Sequence, residues 1–422
     1  MRLKSYRSLA DGSKQAFRQK SNSNGQVRQG ALTVITNVIP GKAEALPAII
    51  EAAGSEIRFD NVRSLHYAAL VVLPAVADHP SRLVLETNFD GDLSEHLKEL
   101  IEHGAKGFDS IYRSCEGYPA RGALQDSDAV GEYFKAHSVP ATAFFVAFPG
   151  RTRDDILNAI SVYNEAKTFL DRPPPLDKLS RDEVWERLVD HFRSITDPTP
   201  LRSSVTQTSL KWQIARNVAV GFIPGVIFLL LLPLLLVMAR FQERREEARP
   251  EPPRRYHTDP AVAYKYLNLG RQNHMCTFAT VKRGWFRAFM LKLGLLVTSI
   301  LAGKIFLLGQ LDTITTIHFA RWILIDGGKR VVFLSNYNGT WSSYSDDFSD
   351  PPHLNAIWSN TERFPPAWFL LWQGAYNIQP YEDHTVEEFQ PTYFFHRPYG
   401  DHSVQNIQRY LEFRDALARS MG

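Results

Sequence analysis

The chain has 422 residues, enough for two or three domains. Charged residues make up 22% and apolar ones 44%, a globular rather than disordered balance, and a net charge of +3 gives no argument for a nucleic-acid partner. Two cysteines, Cys115 and Cys276, exclude a disulfide framework or a multi-cysteine zinc site and suit a reducing compartment.

Residues 1–30 are basic and polar and lack the apolar core of a secretory signal. They read as a mobile arm that can touch anionic lipid. Residues 31–170 form a first unit. A strand is predicted over Leu32–Val38, stopped by Pro40-Gly41, and a helix over Lys42–Ala53. Two apolar strands follow, His66–Leu73 and Leu83–Thr87, then a long helix over Asp92–Tyr112 with Leu93, Leu97, Leu100 and Ile101 on one face. A shorter helix, a last strand at Thr142–Phe148 and a helix over Arg151–Leu170 complete it.

Residues 171–217 read as a linker with a helix. Val218–Ala239 then runs 22 residues without a charge, long enough to cross a bilayer core of about 30 Å. Pro224 and Pro233 would kink it. The heavier basic flank lies after it, from Arg240 to Arg255, and should stay cytoplasmic. Residues 240–270 read as a charged, proline-containing linker, and 271–418 as a second unit.

That second unit repeats the first. HYAAL at 66–70 and TNFDG at 87–91 parallel HFARW at 318–322 and SNYNG at 335–339. ALTVITNVIPGKAEAL (31–46) parallels MCTFATVKRGWFRAFM (275–290), with Gly41 against Gly284. EGYPA (116–120) parallels RFPPA (363–367), and PATAFFVAFPG (140–150) parallels QPTYFFHRPYG (390–400). Landmarks recurring in one order mark a duplication.

Each copy has the order β-α-β-β-α-β, so the expected fold class is α+β: two tandem ferredoxin-like repeats packed face to face as a barrel or sandwich, with the hydrophobic membrane segment between them. A single crossing at 218–239 would put the copies on opposite sides of the bilayer, where they could not pack. The segment is then re-entrant or interfacial, or a second crossing exists. The other apolar run, Phe289–Leu308, contains Lys292 and Lys304 and falls where copy one has its ordinary first helix. It reads as a membrane-hugging amphipathic or core helix, with a crossing as the alternative.

His66 and His318 share one repeat position. Either can serve packing and backbone hydrogen bonding, or proton transfer. His318 is the catalytic candidate, with Arg321, which stands where copy one has Ala69. Positions three apart on a strand face opposite ways, so the two share a site only if a bulge intervenes. Asn88 and Asn336 end the third strands in TNFDG and SNYNG, as an Asn/Asp-Gly turn requires. Five tryptophans, Trp358 among them, fall in copy two and make it the better candidate for a pocket that takes an apolar small molecule. No phosphate loop, nucleophile elbow, HExxH or CxxC is present.

The run HFARWILIDGGKRVVFLSNYNGTWSSYSDDF, with IWSN following, is similar to a bacterial membrane-associated family, and its domains resemble the dimeric α+β barrel superfamily of dye-decolorising peroxidases and chlorite dismutases. The resemblance covers roughly residues 30–170 and 275–418 and implies haem as the cofactor. The peroxidases use an aspartate in a GxxDG motif. Here only Asp90-Gly91 is similar, and copy two has Asn338 instead. His66, Asp90, Asn336 and Trp358 are the cofactor-binding candidates, and no residue set reads as a metal site. The resulting expectation is a membrane-anchored ligand-binding protein at the bacterial inner membrane, with peroxidase-like redox chemistry. The alternatives are a non-catalytic membrane-held scaffold and an enzyme acting on bilayer lipids.

Overall fold

A computed structural model describes residues 28–76, 78–172, 179–195, 230–247, 257–300, 314–349, 352–365, 367–372 and 379–421. The basic arm up to residue 27, the charge-free residues 218–229, the proline-rich 248–256 and residues 301–313 lie outside them.

The molecule is mixed α+β, with two four-stranded antiparallel sheets. Copy one supplies β1 (Gln29–Asn37), β2 (Leu65–Leu73) and β3 (Arg82–Asp90) to the first, in the order β1-β3-β2. Copy two supplies β5 (Gln272–Thr280), β6 (Ile317–Ile325) and β7 (Arg330–Asn338) to the second, in the order β5-β7-β6.

The fourth strands are exchanged. β4 (Ala143–Val146) leaves copy one and pairs with β6, while β10 (Thr392–His396) leaves copy two and pairs with β2. Just before it crosses, each chain touches its own first strand: Ser138 bridges Val34, and Phe389 bridges Thr277. The two sheets are therefore joined at both edges. The apolar run along Thr142–Phe148 identifies a strand, but it carries no information about which sheet takes it.

Each sheet buries one face under helices and the other against its partner. Copy one's outer face is covered by α1 (Leu46–Gly54), α2 (Leu93–Tyr112) and α3 (Ser127–Ala136), through residues such as Leu32, Ile50, Leu85, Leu100 and Phe134. Helices α4 (Arg153–Leu170) and α12 (Val404–Met421) follow the exchanged strands and pack on each other, with α5 (Arg181–Ile195) against them. The inner faces meet through Val71, Leu73 and Val84 from one sheet and Phe278, Ile323, Val332 and Leu334 from the other. The central strands are accordingly buried at nearly every position, as sheets covered on both faces require.

The duplicated landmarks recur in space. Gly41 and Gly284 both adopt left-handed φ, 82° and 111°, at the turn into the first helix of each copy. The first strands, however, match one residue away from the sequence alignment. Gln29 opposes Asp90 and Gln272 opposes Asn338, so Ala31 corresponds to His274 rather than to Met275. A one-residue slip turns every side chain to the other face.

Copy two carries the additions. α6 (230–247) and α7 (Pro260–Leu267) precede its first strand, so the stretch 240–270 begins and ends as helix rather than linker. α8 (Trp285–Ile300) is the enlarged first helix, and its Leu291 and Leu295 enter the core. α9 (Trp341–Ser349), α10 (Pro352–Trp358) and α11 (Gln379–Glu388) follow, with a short hairpin, β8 (Ala367–Trp368) and β9 (Leu371–Trp372), between the last two.

Among the described residues no helix is long and apolar enough to cross a membrane. Because the copies share both sheets, they lie on one side of any bilayer. The predicted crossing at 218–239 lies outside the described residues over 218–229.

Candidate functional site

The centre of the sheet-to-sheet interface is polar. Glu86 and Asn88 point inward from β3, and Arg321, Asn336 and His274 point inward from copy two; all are fully buried or within 1% of it. Asn88 Nδ2 donates to Asn336 Oδ1 at 2.8 Å and to Glu86 Oε1 at 3.0 Å. Arg321 donates to the backbone oxygens of Leu32 at 2.7 Å and Thr87 at 2.9 Å, to Thr33 Oγ1 at 2.9 Å and to Asn88 Oδ1. It also lies 3.4 Å from Glu86 Oε1. His274 Nε2 sits 2.7 Å from Glu86 Oε2, and its Nδ1 is 2.7 Å from Thr392 Oγ1 on the exchanged strand.

Burial pushes the Glu86 carboxyl up, but Arg321 and His274 outweigh it and hold the group at about 2. Burial lowers the Arg321 guanidinium, opposed by Glu86. The set is a buried charge pair bonded from both copies, with Arg321 Nε and Asn336 Nδ2 left without a partner. Asn88 and Asn336 are therefore not turn residues. They sit inside their strands, and the turns fall at Gly91 and Gly339, with φ of 85° and 96°.

The two repeat histidines lie at bulges, where the register shifts between Leu65 and Tyr67 and between Ile317 and Phe319. His66 Nε2 is 2.8 Å from Asp90 Oδ1, and its Nδ1 meets the Tyr399 hydroxyl. Burial pushes the Tyr399 phenol well above its ordinary value, so its hydroxyl keeps its proton. Nε2–H donates to Asp90, whose Oδ2 accepts the Arg153 backbone N–H at 2.7 Å, at the start of α4. Tyr399, His66 and Asp90 thus form one hydrogen-bonded chain. It is closed to solvent: His66 is 0% exposed and Tyr399 1%.

His318 has none of this. Both its ring nitrogens are buried without a hydrogen-bond partner, and its ring lies against Tyr67 and Phe148. Burial, with His66 nearby, lowers it to about 3, so it is neutral. Asn338, the counterpart of Asp90, instead accepts from the Val404 backbone N–H at 2.9 Å, at the start of α12. His318 and Arg321 share no hydrogen bond in spite of the bulge.

Trp358 lines a cavity on the helix-covered face of copy two. Met275, Thr277, Trp341, Tyr344 and Glu388 are also among its walls. It has room for about one water molecule. The indole nitrogens of Trp341 and Trp358 and the hydroxyl of Thr277 are buried there with no partner.

Haem does not fit these residues. A cofactor-sized pocket occupies roughly 300–1,000 Å³. Both ring nitrogens of His66, the cofactor-binding histidine candidate, are taken by Asp90 and Tyr399, and the cavity beside Trp358 is far smaller. Among the described residues no three histidines, cysteines or acids converge as a metal-ligand group.

The fourth constellation is a surface. Along α6, Leu230, Leu234, Val237 and Phe241 form an exposed stripe at helical spacing, and Leu230 is 75% exposed. Trp285, Phe289, Leu296 and Ile300 form a second stripe along α8, interrupted by Lys292. The inner sides of the two helices join through Ala239, Phe286, Met290 and Leu370. Polar fastenings hold the pair together. Glu246 meets Arg287 at 2.8 Å and Lys282 at 3.0 Å. Glu243, 4% exposed, accepts the backbone N–H groups of Phe369 and Leu370.

The sequence reading named His318, Arg321, His66, Asp90, Asn336 and Trp358, of which His66 meets Asp90, Arg321 and Asn336 both meet Asn88, and His318 and Trp358 stand apart. It missed Glu86, His274, Tyr399 and Glu243. Glu86 had a signal, a charge in the apolar run LVLET where copy two has Leu334. No protein-family model matches the chain, and no curated protein is significantly similar to it.

Proposed function

We propose that this chain is a membrane-seated binding protein that rests copy two on a bilayer through α6 and α8. The observation that carries the reading is the pair of exposed apolar stripes on two helices locked together. Soluble surfaces seldom keep so continuous an apolar patch. The stripe on α6 lies at the C-terminal end of the charge-free run 218–239. With both copies on one side of the bilayer, that run enters and leaves on the same side, as an interfacial or re-entrant segment. The domains then face the cytoplasm, on the side of the basic flank.

We read the fold itself as two ferredoxin-like repeats closed into an α+β barrel, the arrangement of the dimeric α+β barrel superfamily. The strand exchange at both sheet edges supports this. The expectation of haem peroxidase chemistry is not carried forward, because the residues do not fit haem. The cavity beside Trp358, with its unpaired donors and room for about one water molecule, suits a single bound water.

Flotation of the purified full chain with lipid vesicles tests the seat. The chain is expected to float. Leu234→Glu, Val237→Glu, Phe289→Glu and Leu296→Glu together are expected to shift it toward the unbound fraction, with circular dichroism unchanged. A wild-type chain that stays with the soluble fraction overturns the reading.

A further inference from the structure

The hairpin at 367–372 has a turn of two residues, with Ala367 opposite Trp372 and Trp368 opposite Leu371. Both turn residues are left-handed: Phe369 has φ of 53° and Leu370 of 66°. That geometry belongs to Asn-Gly turns, and bulky side chains adopt it only under strain. Here the strain is held by the neighbouring helix. Glu243 takes the Phe369 N–H at 3.0 Å and the Leu370 N–H at 2.7 Å. Leu370 turns inward to Phe286 and Met290. Trp368 and Phe369 are left outside, 51% and 38% exposed.

The place of that tip along α6 is informative. The Arg240 guanidinium lies 5.0 Å over the Trp368 ring. Arg240 is the first charge after the charge-free run 218–239. Trp368 therefore stands at the level where the helix changes from apolar to basic. Arg244, Arg245 and Arg283 are exposed in the same region, as is Trp285. Glu247 is exposed as well, but pairs with Arg240 at 2.7 Å, and Glu246 pairs with Lys282 and Arg287. Aromatic rings at an apolar-to-basic boundary are the composition of the membrane–water interface, and the surplus of arginine favours anionic headgroups.

We propose that the hairpin tip, Trp368 with Phe369, inserts at the headgroup level of an anionic bilayer, as an aromatic stop that sets how deeply copy two sits. The proposal rests on the membrane seat argued above. Glu243 is a positioning residue: it shapes the turn from the helix that enters the lipid, so seat and tip are built as one piece.

The test uses the full chain with phosphatidylcholine vesicles, with and without phosphatidylglycerol, containing lipids brominated near the headgroup or near the chain end. Tryptophan emission is expected to be quenched more by the shallow bromines, and Trp368→Phe is expected to remove part of that shallow component. Replacing Trp368 and Phe369 by serine together should weaken binding to the anionic vesicles about tenfold, the order expected for partial loss of two large apolar contacts. Trp368→Tyr with Phe369→Trp should restore it. If the chain floats but Trp368→Phe leaves the quenching unchanged, the tip does not insert and the seat alone survives. Equal binding to both vesicle types overturns the anionic preference. Failure to float overturns seat and tip together. Shielding of Trp368 from aqueous iodide before any vesicle is added would assign the tip to a second copy and overturn the proposal.

Discussion

His66 and His318 occupy equivalent bulges in two copies of one domain, and their surroundings are opposite. His66 is bonded at both nitrogens, by Asp90 and Tyr399. His318 is bonded at neither and meets Phe148. The pairing partners come from the exchanged segments: Tyr399 reaches copy one from beyond β10, and Phe148 reaches copy two from beyond β4. Asp90 has become Asn338, which still meets a helix start but offers no charge to a histidine. The two sites share a backbone bulge and a histidine, while the chemistry around them differs. The partners of a recurring histidine decide what it does.

The same divergence governs the core, and there the largest effect is expected. Ala69 opposes Glu86 in copy one, and Arg321 opposes Leu334 in copy two. The two charges meet only because the sheets stack. Glu86→Leu leaves Arg321 buried without its carboxylate and should cost about 3–5 kcal/mol, read from urea unfolding. Adding Arg321→Ala places at both positions the residue types of the opposite copy, and should recover much of the loss. A loss below about 1 kcal/mol in the single variant would mean that the pair is not holding the copies together.

Much of this architecture was legible in the sequence. Periodicity located the strands, Pro40-Gly41 marked the end of the first, and the repeat with its uncovered sheet faces implied the face-to-face stacking. It could not locate the strand exchange, because an apolar run such as Ala143–Val146 fits the edge of either sheet. The polar centre was hidden for a related reason. Aligning Met275 with Ala31 turned His274 to the wrong face, away from Glu86. Asp90 and His66 were both visible, but Tyr399, which completes their set, comes from the other copy. The clamp of Glu243 on a strained turn is a tertiary fact with no local signature, since Phe-Leu is not a turn sequence.

The histidine comparison can be broken directly with His66→Phe and His318→Phe. The first strands a carboxylate and a phenol in a closed interior and should cost about 2–3 kcal/mol at neutral pH. The second removes two buried nitrogens that have no partners, and should be neutral or slightly stabilising. Thermal unfolding in parallel reads the difference. Equal costs would show that the two sites are maintained for packing alone.

A smaller effect separates the sites by pH. His318 is held at about 3 by burial, below its ordinary 6.5, and His96 is held at about 3 for the same reason. The unfolded chain binds these protons first, so stability is full above pH 6.5 and falls as the pH drops toward 3. Below about pH 4.5 Glu86 adds to the loss, since it is held at about 2 in the fold. His318→Phe should therefore flatten the dependence of unfolding free energy on pH, between 6 and 4, by about one proton. The gain over wild type should grow as the solution is acidified, from nearly nothing at pH 7. If the two curves run parallel through that window, His318 takes up its proton in the folded protein. The pocket between Tyr67 and Phe148 would then have to admit water, and the contrast with His66 would lose its physical basis.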